Sequence, residues 1–330
     1  MRGARRSLVV LTLLAAPAEV QPASSVCASP EQRVNEAQYV SIGGIEQWVA
    51  IDGLRCGNPV ILFLDGGSGK ALSPHANAIY GTWEGEFTLV QWDRRGTGKT
   101  YARNPPSAES RVTLERMTED GIALAEYLTG HLGKKKLILT GGSRGSILGV
   151  NMAKRRPDLF YAYVGVAQMV SYKDDLSASY ATVMGMARAA NDPSTIAALE
   201  AIGPPPWTDP RNFGVLRRAT RVYEAKTATP MPKSWETRSP GYEAETEATD
   251  AEVEDYDLRA LGTTFEIPVF FVQGSEDLVA RPDIARRYFN SITAPAKEFV
   301  QVPLTGHDLN RAMVDAQYRI MHRRVRPLAK

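Results

Sequence analysis

Short runs of β-branched and aromatic residues alternate along this sequence with longer segments of helical periodicity. Five runs are apolar at nearly every position, namely Val60–Leu64, Phe87–Trp92, Leu137–Thr140, Tyr161–Val166 and Val269–Val272. Such runs are typical of strands that are buried on both faces of a sheet. Tyr39–Ile42 and Gln47–Ile51 predict an opening hairpin, and Phe299–Val302 predicts a last strand.

Helical patterns lie between these runs, at Leu114–Leu128, Ser146–Arg156, Pro282–Ile292 and Asp308–Val325. Strands that alternate with helices form βαβ units, because each crossover helix returns the chain to the same edge of a parallel sheet. The pattern therefore predicts an α/β fold with a mostly parallel sheet that is flanked by helices.

The alternation stops between residues 171 and 261, where helical patterns and an acidic stretch follow without a strong strand. We interpret residues 171–261 as a helical cap that is inserted into one domain, whose two parts are residues 36–170 and 262–330. The length supports this division: once the cap and a signal segment are subtracted, about 220 residues remain, which suits a single α/β domain.

Residues 1–18 have the composition of an export signal, with a basic start, an apolar run and a small-residue end at Ala18. Ala23 and Ala28 are alternative cleavage sites. The run is shorter than the roughly 20 apolar residues that cross a bilayer, and no later segment reaches that length. We therefore expect a periplasmic or secreted protein without an integral membrane segment in the mature chain.

The composition also indicates which classes of binding partner to expect. The 39 basic and 37 acidic residues nearly balance, so nucleic acid is not an expected partner.

Cys27 and Cys56 are the only cysteines, and the sequence leaves open whether they pair. With four histidines and no CxxC or HExxH spacing, a metal site is not expected. Gly98-Lys99-Thr100 is similar to the end of a phosphate-binding loop, but Asp93 stands where that loop needs glycine.

A Gly-x-Ser-x-Gly pattern at residues 141–145 follows a predicted buried strand and precedes a predicted helix. In that context the pattern is typical of a sharp turn that holds the hydroxyl of Ser143 above the sheet. A nucleophilic serine needs a base and a group that orients the base. Asp277 and His307 each follow a late predicted strand, which gives the order Ser, acid, His of the α/β-hydrolase arrangement. Glu276 is the rival acid.

Acyl transfer also needs hydrogen-bond donors for the developing oxyanion. The backbone N–H of Arg144, directly after the serine, is one candidate. The loop after Val60–Leu64 reads Asp-Gly-Gly-Ser-Gly, and its glycines let the backbone turn amides toward a ligand. We favour the N–H of Gly67 over that of Gly66, and we retain Gly66 as a candidate substrate contact.

The chain resembles the proline iminopeptidase-like branch of the α/β-hydrolases. The similar segments are Gly43–Trp48, the Asp-Arg-Arg-Gly-Thr-Gly of residues 93–98, and Arg326-Pro327. The resemblance covers almost the whole mature chain and is weakest across the cap. It implies an eight-stranded sheet, a cap after the sixth strand, and a triad of Ser143, Asp277 and His307. It also implies release of an N-terminal residue, typically proline, from short peptides without a cofactor.

Four positions, in three motifs, depart from this family. Its oxyanion loop reads His-Gly-Gly-Pro-Gly, whereas here Asp65 replaces the histidine and Ser68 the proline. A carboxylate disfavours a nearby oxyanion, so we expect Asp65 to be turned away and hydrogen-bonded. Arg144 replaces a tryptophan, and its guanidinium either favours substrates with a carboxylate or pairs with a nearby acid. Arg94 replaces a glutamine, which we interpret as a structural exchange.

An aminopeptidase needs acidic side chains to hold the ammonium group of its substrate. Glu236 and the acids between Glu243 and Asp257 are the candidates, although most charge runs are solvated. A carboxylesterase that acts on small esters, for which an apolar pocket suffices, is the alternative function. A catalytically silent hydrolase fold that binds a ligand is the second alternative.

Overall fold

The computed structural model describes residues 25–67, 71–104, 112–207, 209, 211–235 and 256–329. The predicted signal segment, residues 1–18, and the candidate Glu236 lie outside the described residues. Across the described ranges, no helix has both the length and the apolar character needed to cross a membrane.

Eight strands form one sheet in the order β1-β2-β4-β3-β5-β6-β7-β8. The strands are β1 Val34–Ile42, β2 Ile45–Gly53, β3 Val60–Leu64, β4 Thr88–Asp93, β5 Leu137–Gly142, β6 Phe160–Val166, β7 Val269–Gly274 and β8 Lys297–Val302. The pairs β1–β2 and β2–β4 are antiparallel, and the other five pairs are parallel. The predicted eight-stranded, mostly parallel sheet is confirmed.

Helices cover both faces of this sheet. The described α-helices are α1 Ala76–Tyr80, α2 Gly98–Arg103, α3 Leu114–His131, α4 Arg144–Arg155, α5 Tyr172–Ala189, α6 Pro193–Ile202, α7 Arg211–Thr227, α8 Pro282–Ser291 and α9 Arg311–Ile320. Residues of α3, α4 and α8 share one apolar cluster, and residues of α1 and α9 share the other. Because successive side chains of a strand point to opposite faces, Leu62 joins the first cluster and Ile61 the second.

Among the described residues between β6 and β7, three α-helices, α5 to α7, have a small apolar core of their own. Val183, Leu199 and Leu216 are almost fully buried in that core. The helix α5 begins where the hydroxyl of Ser171 accepts a hydrogen bond from the N–H of Asp174. The boundaries of the predicted cap, residues 171 and 261, stay a prediction, and residues 236–255 of that block lie outside the described part of the chain.

The two cysteines form a disulfide bond between Cys27 and Cys56. This bond connects the N-terminal segment to the loop between β2 and β3. Cys56 precedes β3, so the disulfide lies toward the amino ends of the parallel strands. The carboxyl ends of β5, β7 and β8 lie at the opposite edge, where the loops carry the candidate catalytic residues.

Candidate active site

Ser143 occupies the turn between β5 and α4 with φ of 49°, a left-handed conformation that is strained for a residue with a side chain. The turn is tight on both sides. A Cβ atom on Gly141 would lie 2.3 Å from the carbonyl oxygen of Gly145. A Cβ atom on Gly145 would lie 2.0 Å from the carbonyl oxygen of Leu64. The two glycines of the pattern therefore permit the turn that presents Ser143.

The structure brings the three predicted triad residues together. His307 Nε2 lies 2.9 Å from Ser143 Oγ. The other ring nitrogen, His307 Nδ1, lies 3.0 and 3.1 Å from the two carboxylate oxygens of Asp277. The Asp277 side chain is fully buried and His307 is nearly so. This arrangement can move a proton from the hydroxyl to the imidazole while the carboxylate orients the ring.

Asp277 is fixed by further donors. Its Oδ1 accepts hydrogen bonds of 2.8 Å from the backbone N–H groups of Val279 and Ala280. Gln273 Nε2 lies 3.3 Å from Asp277 Oδ2, and it also donates to the carbonyl oxygen of Ala280 at 2.7 Å. These donors hold the Asp277 carboxylate in one orientation. Gln273 lies within β7 and no sequence motif marks it.

The same contacts set the basicity of the imidazole. Burial lowers the pKa of His307, but the charge of Asp277 and its hydrogen bond outweigh that effect, so the net pKa lies above the ordinary 6.5. The rival acid, Glu276, instead accepts a hydrogen bond of 3.0 Å from the hydroxyl of Ser275. Asp277 is therefore the acid that contacts His307.

The glycine-rich loop after β3 packs directly against the nucleophile. A Cβ atom on Gly66 would lie 2.7 Å from both the Gly142 carbonyl oxygen and Ser143 Cβ. Gly67 follows with φ of 76°, a conformation that favours glycine. On the other side, Arg144 is the first residue of α4, and the first N–H groups of a helix have no acceptor within it. Both predicted oxyanion donors therefore belong to backbone segments that adjoin Ser143.

Asp65 is buried and hydrogen-bonded, as its chemistry predicts. Its Oδ2 accepts a hydrogen bond of 2.6 Å from the N–H of Leu72. Burial raises the pKa of Asp65 to about 7, although the Leu72 hydrogen bond and the charge of Arg94 oppose this shift. Arg94 is also buried, and burial lowers its pKa to about 10. Asp65 and Arg94, two of the positions at which the chain departs from the family pattern, thus lie side by side.

The side chain of Arg144 reaches from the core toward the inserted helices. Its guanidinium carbon lies 5.6 Å from the ring centroid of Phe213 in α7. Arg144, Arg94 and Gly67 line one small cavity. The rest of its lining is Leu114, Met117, Gly145, Ile147 and Leu148.

A second cavity lies between α5, α7 and the loop after β7. Its lining consists of Met169, Asp175, Leu176, Ser179, Phe213, Leu216, Arg217, Thr220 and Val279. Met169 connects this cavity to the nucleophile, because its Sδ lies 3.9 Å from Ser143 Oγ. Five of the nine lining side chains are apolar.

Glu224 of α7 brings a carboxylate to the triad. Its Oε1 accepts a 2.8 Å hydrogen bond from the N–H of Leu278, and its Oε2 lies 3.3 Å from Arg217 Nη1. A Cβ atom on Gly306 would lie 3.1 Å from Glu224 Cδ. Burial raises the pKa of Glu224, and the charge of Asp277 raises it further. No sequence motif marks Glu224, because only the packing of α7 brings it close to the triad.

Of the predicted acidic candidates, Asp257 is the one that the structure describes. Glu236 and residues 243–255 lie outside the described residues. Asp257, the last of them, binds Arg259 through two carboxylate contacts, the shortest of which is 2.6 Å. In the sequence, Asp257 lies directly before the 3₁₀ turn at Leu258–Leu261 and well after α7.

A mostly parallel sheet with serine, acid and histidine in this order at its carboxyl edge defines a serine hydrolase of the α/β-hydrolase type. Residues 77–311 match the family described as serine aminopeptidase, S33, and the chain belongs to that family.

Individual proteins are also similar to this chain. The chain is 26% identical over 285 residues to the probable aminopeptidase YbaC of Bacillus subtilis (strain 168), covering 81% of this chain and 89% of that protein. A proline iminopeptidase-related protein from Thermus thermophilus superposes with a TM-score of 0.59 at 21% identity, covering 89% of this chain and 99% of the other. A proline iminopeptidase from Mycobacterium smegmatis gives 0.59 at 21% identity, covering 82% and 91%. At these identities the two solved structures support the fold.

Proposed function

We propose that the protein is an exported aminopeptidase of proline iminopeptidase type, which releases N-terminal residues from short peptides through an acyl-enzyme. The observation that carries the serine chemistry is the contact of His307 Nε2 with Ser143 Oγ, with Asp277 on the opposite ring nitrogen. The family membership and the Bacillus subtilis relative, whose name is probable aminopeptidase, support the choice of substrate.

The reaction follows from this geometry. His307 accepts the hydroxyl proton as Ser143 Oγ attacks the carbonyl carbon, and the N–H groups of Gly67 and Arg144 stabilise the oxyanion. The imidazolium then gives its proton to the leaving amine as the C–N bond breaks. Water, activated by the same imidazole, attacks the acyl-enzyme, which releases the carboxylic acid and restores the serine. Asp277 stays ionised and holds the ring throughout.

Glu224 supports the preference for a free amino terminus. Among the described residues it is a carboxylate of the inserted helices that packs against the His307 loop. A substrate ammonium group next to the scissile carbonyl would be attracted to a negative charge at this place. In this proposal Glu224 takes the role that the sequence assigned to Glu236 or the acidic stretch.

A carboxylesterase that acts on small esters is the second candidate, and two observations favour it. Arg217 already lies 3.3 Å from Glu224, so the carboxylate is charge-compensated without a substrate ammonium. The cavity that adjoins Met169 is lined mostly by apolar side chains, which suits a neutral acyl group.

One set of assays separates these candidates. Pro-arylamide, other aminoacyl-arylamides and short-chain aryl esters are compared on the same preparation of the wild type, Ser143→Ala and Glu224→Gln. We expect Ser143→Ala to lose kcat by on the order of 10⁴-fold or more on every substrate. Ser291→Ala, an exposed serine at the end of α8, is the control and retains full activity.

The outcome for Glu224→Gln distinguishes the substrates. If the aminopeptidase proposal is correct, Glu224→Gln loses kcat/KM on arylamides with a free amino group while ester turnover stays near that of the wild type. Turnover of esters without release from any aminoacyl-arylamide would instead establish the esterase. Undiminished turnover by Ser143→Ala would end the proposal of serine chemistry.

The disulfide supports the proposed export, since such bonds persist in oxidising compartments. Expression of the full chain in a bacterium, followed by intact-mass analysis of the periplasmic or secreted fraction, tests it. We expect a chain shortened at its N-terminus with Cys27 and Cys56 oxidised. A full-length, reduced protein in the cytosolic fraction would contradict export.

A further inference from the structure

Two adjacent arginines follow β4 and have different partners. Arg95 is buried and binds Asp120 through contacts of 2.9 and 3.1 Å, and it also donates to the carbonyl oxygen of Gly43 at 2.8 Å. Arg94 is almost as buried, but its guanidinium extends under the loop after β3. There it donates hydrogen bonds of 2.5 Å to two backbone carbonyl oxygens, one of Asp65 and one of Gly67.

The positions of these two carbonyl groups are informative. The Asp65 carbonyl belongs to the peptide unit before the Gly66–Gly67 peptide, and the Gly67 carbonyl belongs to the unit after it. One planar guanidinium therefore holds both neighbours of the peptide that carries the Gly67 N–H. Because a peptide unit is planar, fixing its carbonyl also fixes the direction of its N–H group. Both ends of the central peptide are thereby held, so the segment that carries the Gly67 N–H cannot move away from Ser143 without breaking one of the two bonds to Arg94.

The loop needs such a restraint. Gly66 and Gly67 have no side chains that would limit their backbone, and glycine loses more conformational freedom on ordering than any other residue. Gly67 has φ of 76°, and Gly66 lies against Ser143, so a displaced loop would carry the Gly67 amide away from the nucleophile. Arg94 presents its donors in a rigid fork, which suits two carbonyl groups at a fixed separation.

We propose that Arg94 is a positioning residue for the oxyanion hole, which holds the N–H of Gly67 toward the oxyanion that forms on Ser143. The assignment rests on the proposed serine hydrolase function and adds a residue that sequence reasoning had treated as a structural exchange. Arg94 acts through the loop, and no contact with the substrate is assigned to it.

The electrostatics of the loop agree with this role. Asp65 lies beside Arg94, and as a carboxylate it would oppose a nearby oxyanion. Burial raises the pKa of Asp65 to about 7 and lowers that of Arg94 to about 10, so Arg94 stays cationic at neutral pH. Its positive charge thus offsets the negative charge of Asp65 underneath the site.

The test compares matched substitutions at the two neighbouring arginines. Arg94→Ala, Arg94→Gln, Arg94→Lys and Arg95→Lys are assayed for kcat, KM and melting temperature on the best wild-type substrate. Loss of one whole oxyanion donor costs about 10² to 10³ in kcat, so we expect Arg94→Ala to lose about 10²-fold in kcat with KM changed by less than about threefold. Arg94→Gln, too short to reach both carbonyls, should lie between Ala and the wild type.

Rescue separates positioning from mere folding. Low millimolar guanidinium should restore part of the kcat of Arg94→Ala, and Arg94→Lys should retain more activity than Arg94→Gln. Arg95→Lys should melt at a lower temperature than the wild type while its kcat stays within about twofold, because its contacts lie outside the loop. If Arg94→Ala does not fold, the kcat of Arg94→Lys compared with that of Arg94→Gln decides whether Arg94 positions the loop.

Three results would overturn the assignment: an unchanged kcat in Arg94→Ala and Arg94→Gln, a loss confined to KM, or an Arg94→Lys variant that is no more active than Arg94→Gln. A wild-type protein that turns over neither esters nor arylamides would refute the proposed function itself, and the assignment with it. An active wild type with indifferent Arg94 variants would refute the assignment alone.

Discussion

The two sides of Ser143 are held in different ways. On the triad side, Asp277 is fixed by the backbone N–H groups of residues two and three positions later and by Gln273 on the strand just before it. On the oxyanion side, the loop is fixed by Arg94, which follows a different strand, β4. Contacts between residues that are close in the sequence thus hold the acid of the triad, whereas one side chain that is distant in the sequence holds the altered loop. A sequence pattern is therefore a better guide to the first side than to the second.

The largest effect is expected on the triad side. Asp277→Asn keeps the shape of the side chain but removes the charge that orients His307, and we expect kcat to fall by on the order of 10⁴-fold with little change in melting temperature. Steady-state kinetics and thermal unfolding measure both quantities. Glu276→Gln is the matched control and should stay within about twofold of the wild type. Comparable losses in the two variants would mean that Asp277 is not the orienting acid.

The next effect tests whether the two sides act independently. Catalysis that remains without a working triad comes from the oxyanion hole and from binding. Arg94→Ala should therefore lower the residual kcat of Asp277→Asn by the same factor of about 10² as it lowers that of the wild type. A double variant no slower than Asp277→Asn would show that Arg94 serves the triad rather than the oxyanion loop.

A smaller effect appears in the pH profile of kcat/KM, which reports the pKa values of the free enzyme. Asp277 raises the pKa of His307, so the basic form predominates only above an acid limb that lies higher than 6.5. Asp277→Asn removes this influence and leaves burial, which lowers the pKa, so the limb should move to lower pH. Arg94→Gln should leave it in place.

A limb that stays in place in Asp277→Asn would contradict its assignment to His307. It would point to another buried group such as Asp175, whose pKa burial raises to about 7.

The smallest effect on rate is expected from the disulfide, which lies toward the other edge of the sheet. The cysteines are 29 residues apart, and closing a loop of this size stabilises a fold by about 3 to 4 kcal/mol in the chain-entropy model. Cys27→Ser should therefore unfold at lower denaturant concentration with kcat unchanged at 25 °C. A large loss of kcat in the folded variant would mean that the N-terminal segment affects the site.

The sheet and triad could be predicted because their signals are local. The run Val60–Leu64 is apolar throughout and forms β3 within those same bounds, and Ser143 lies in a motif whose neighbours define its turn. Asp277 and His307 each lie in the loop that follows a strand, β7 and β8 respectively. The last helix was less predictable: it begins at Arg311 rather than Asp308, because the Asn310 side chain accepts a hydrogen bond from the N–H of Met313.

The features that were not predictable depend on distant contacts. Arg94 lies 29 and 27 positions from the two residues that it holds, and no spacing rule connects them. Glu224 belongs to a helix whose sequence has no catalytic motif, and only the packing of α7 against Gly306 brings it to the triad. The pairing of Cys27 and Cys56 likewise depends on where the N-terminal segment lies.

The proposed mechanism requires that Ser143 is the nucleophile and that His307 activates it. The most direct measurement is intact-mass analysis after exposure to a serine-directed phosphonate, followed by mapping of the labelled peptide. We expect one adduct on the wild-type protein, located on Ser143, much slower labelling of His307→Ala, and no adduct on Ser143→Ala. An adduct on another residue, or a wild type that stays unlabelled while it turns over substrate, would contradict it.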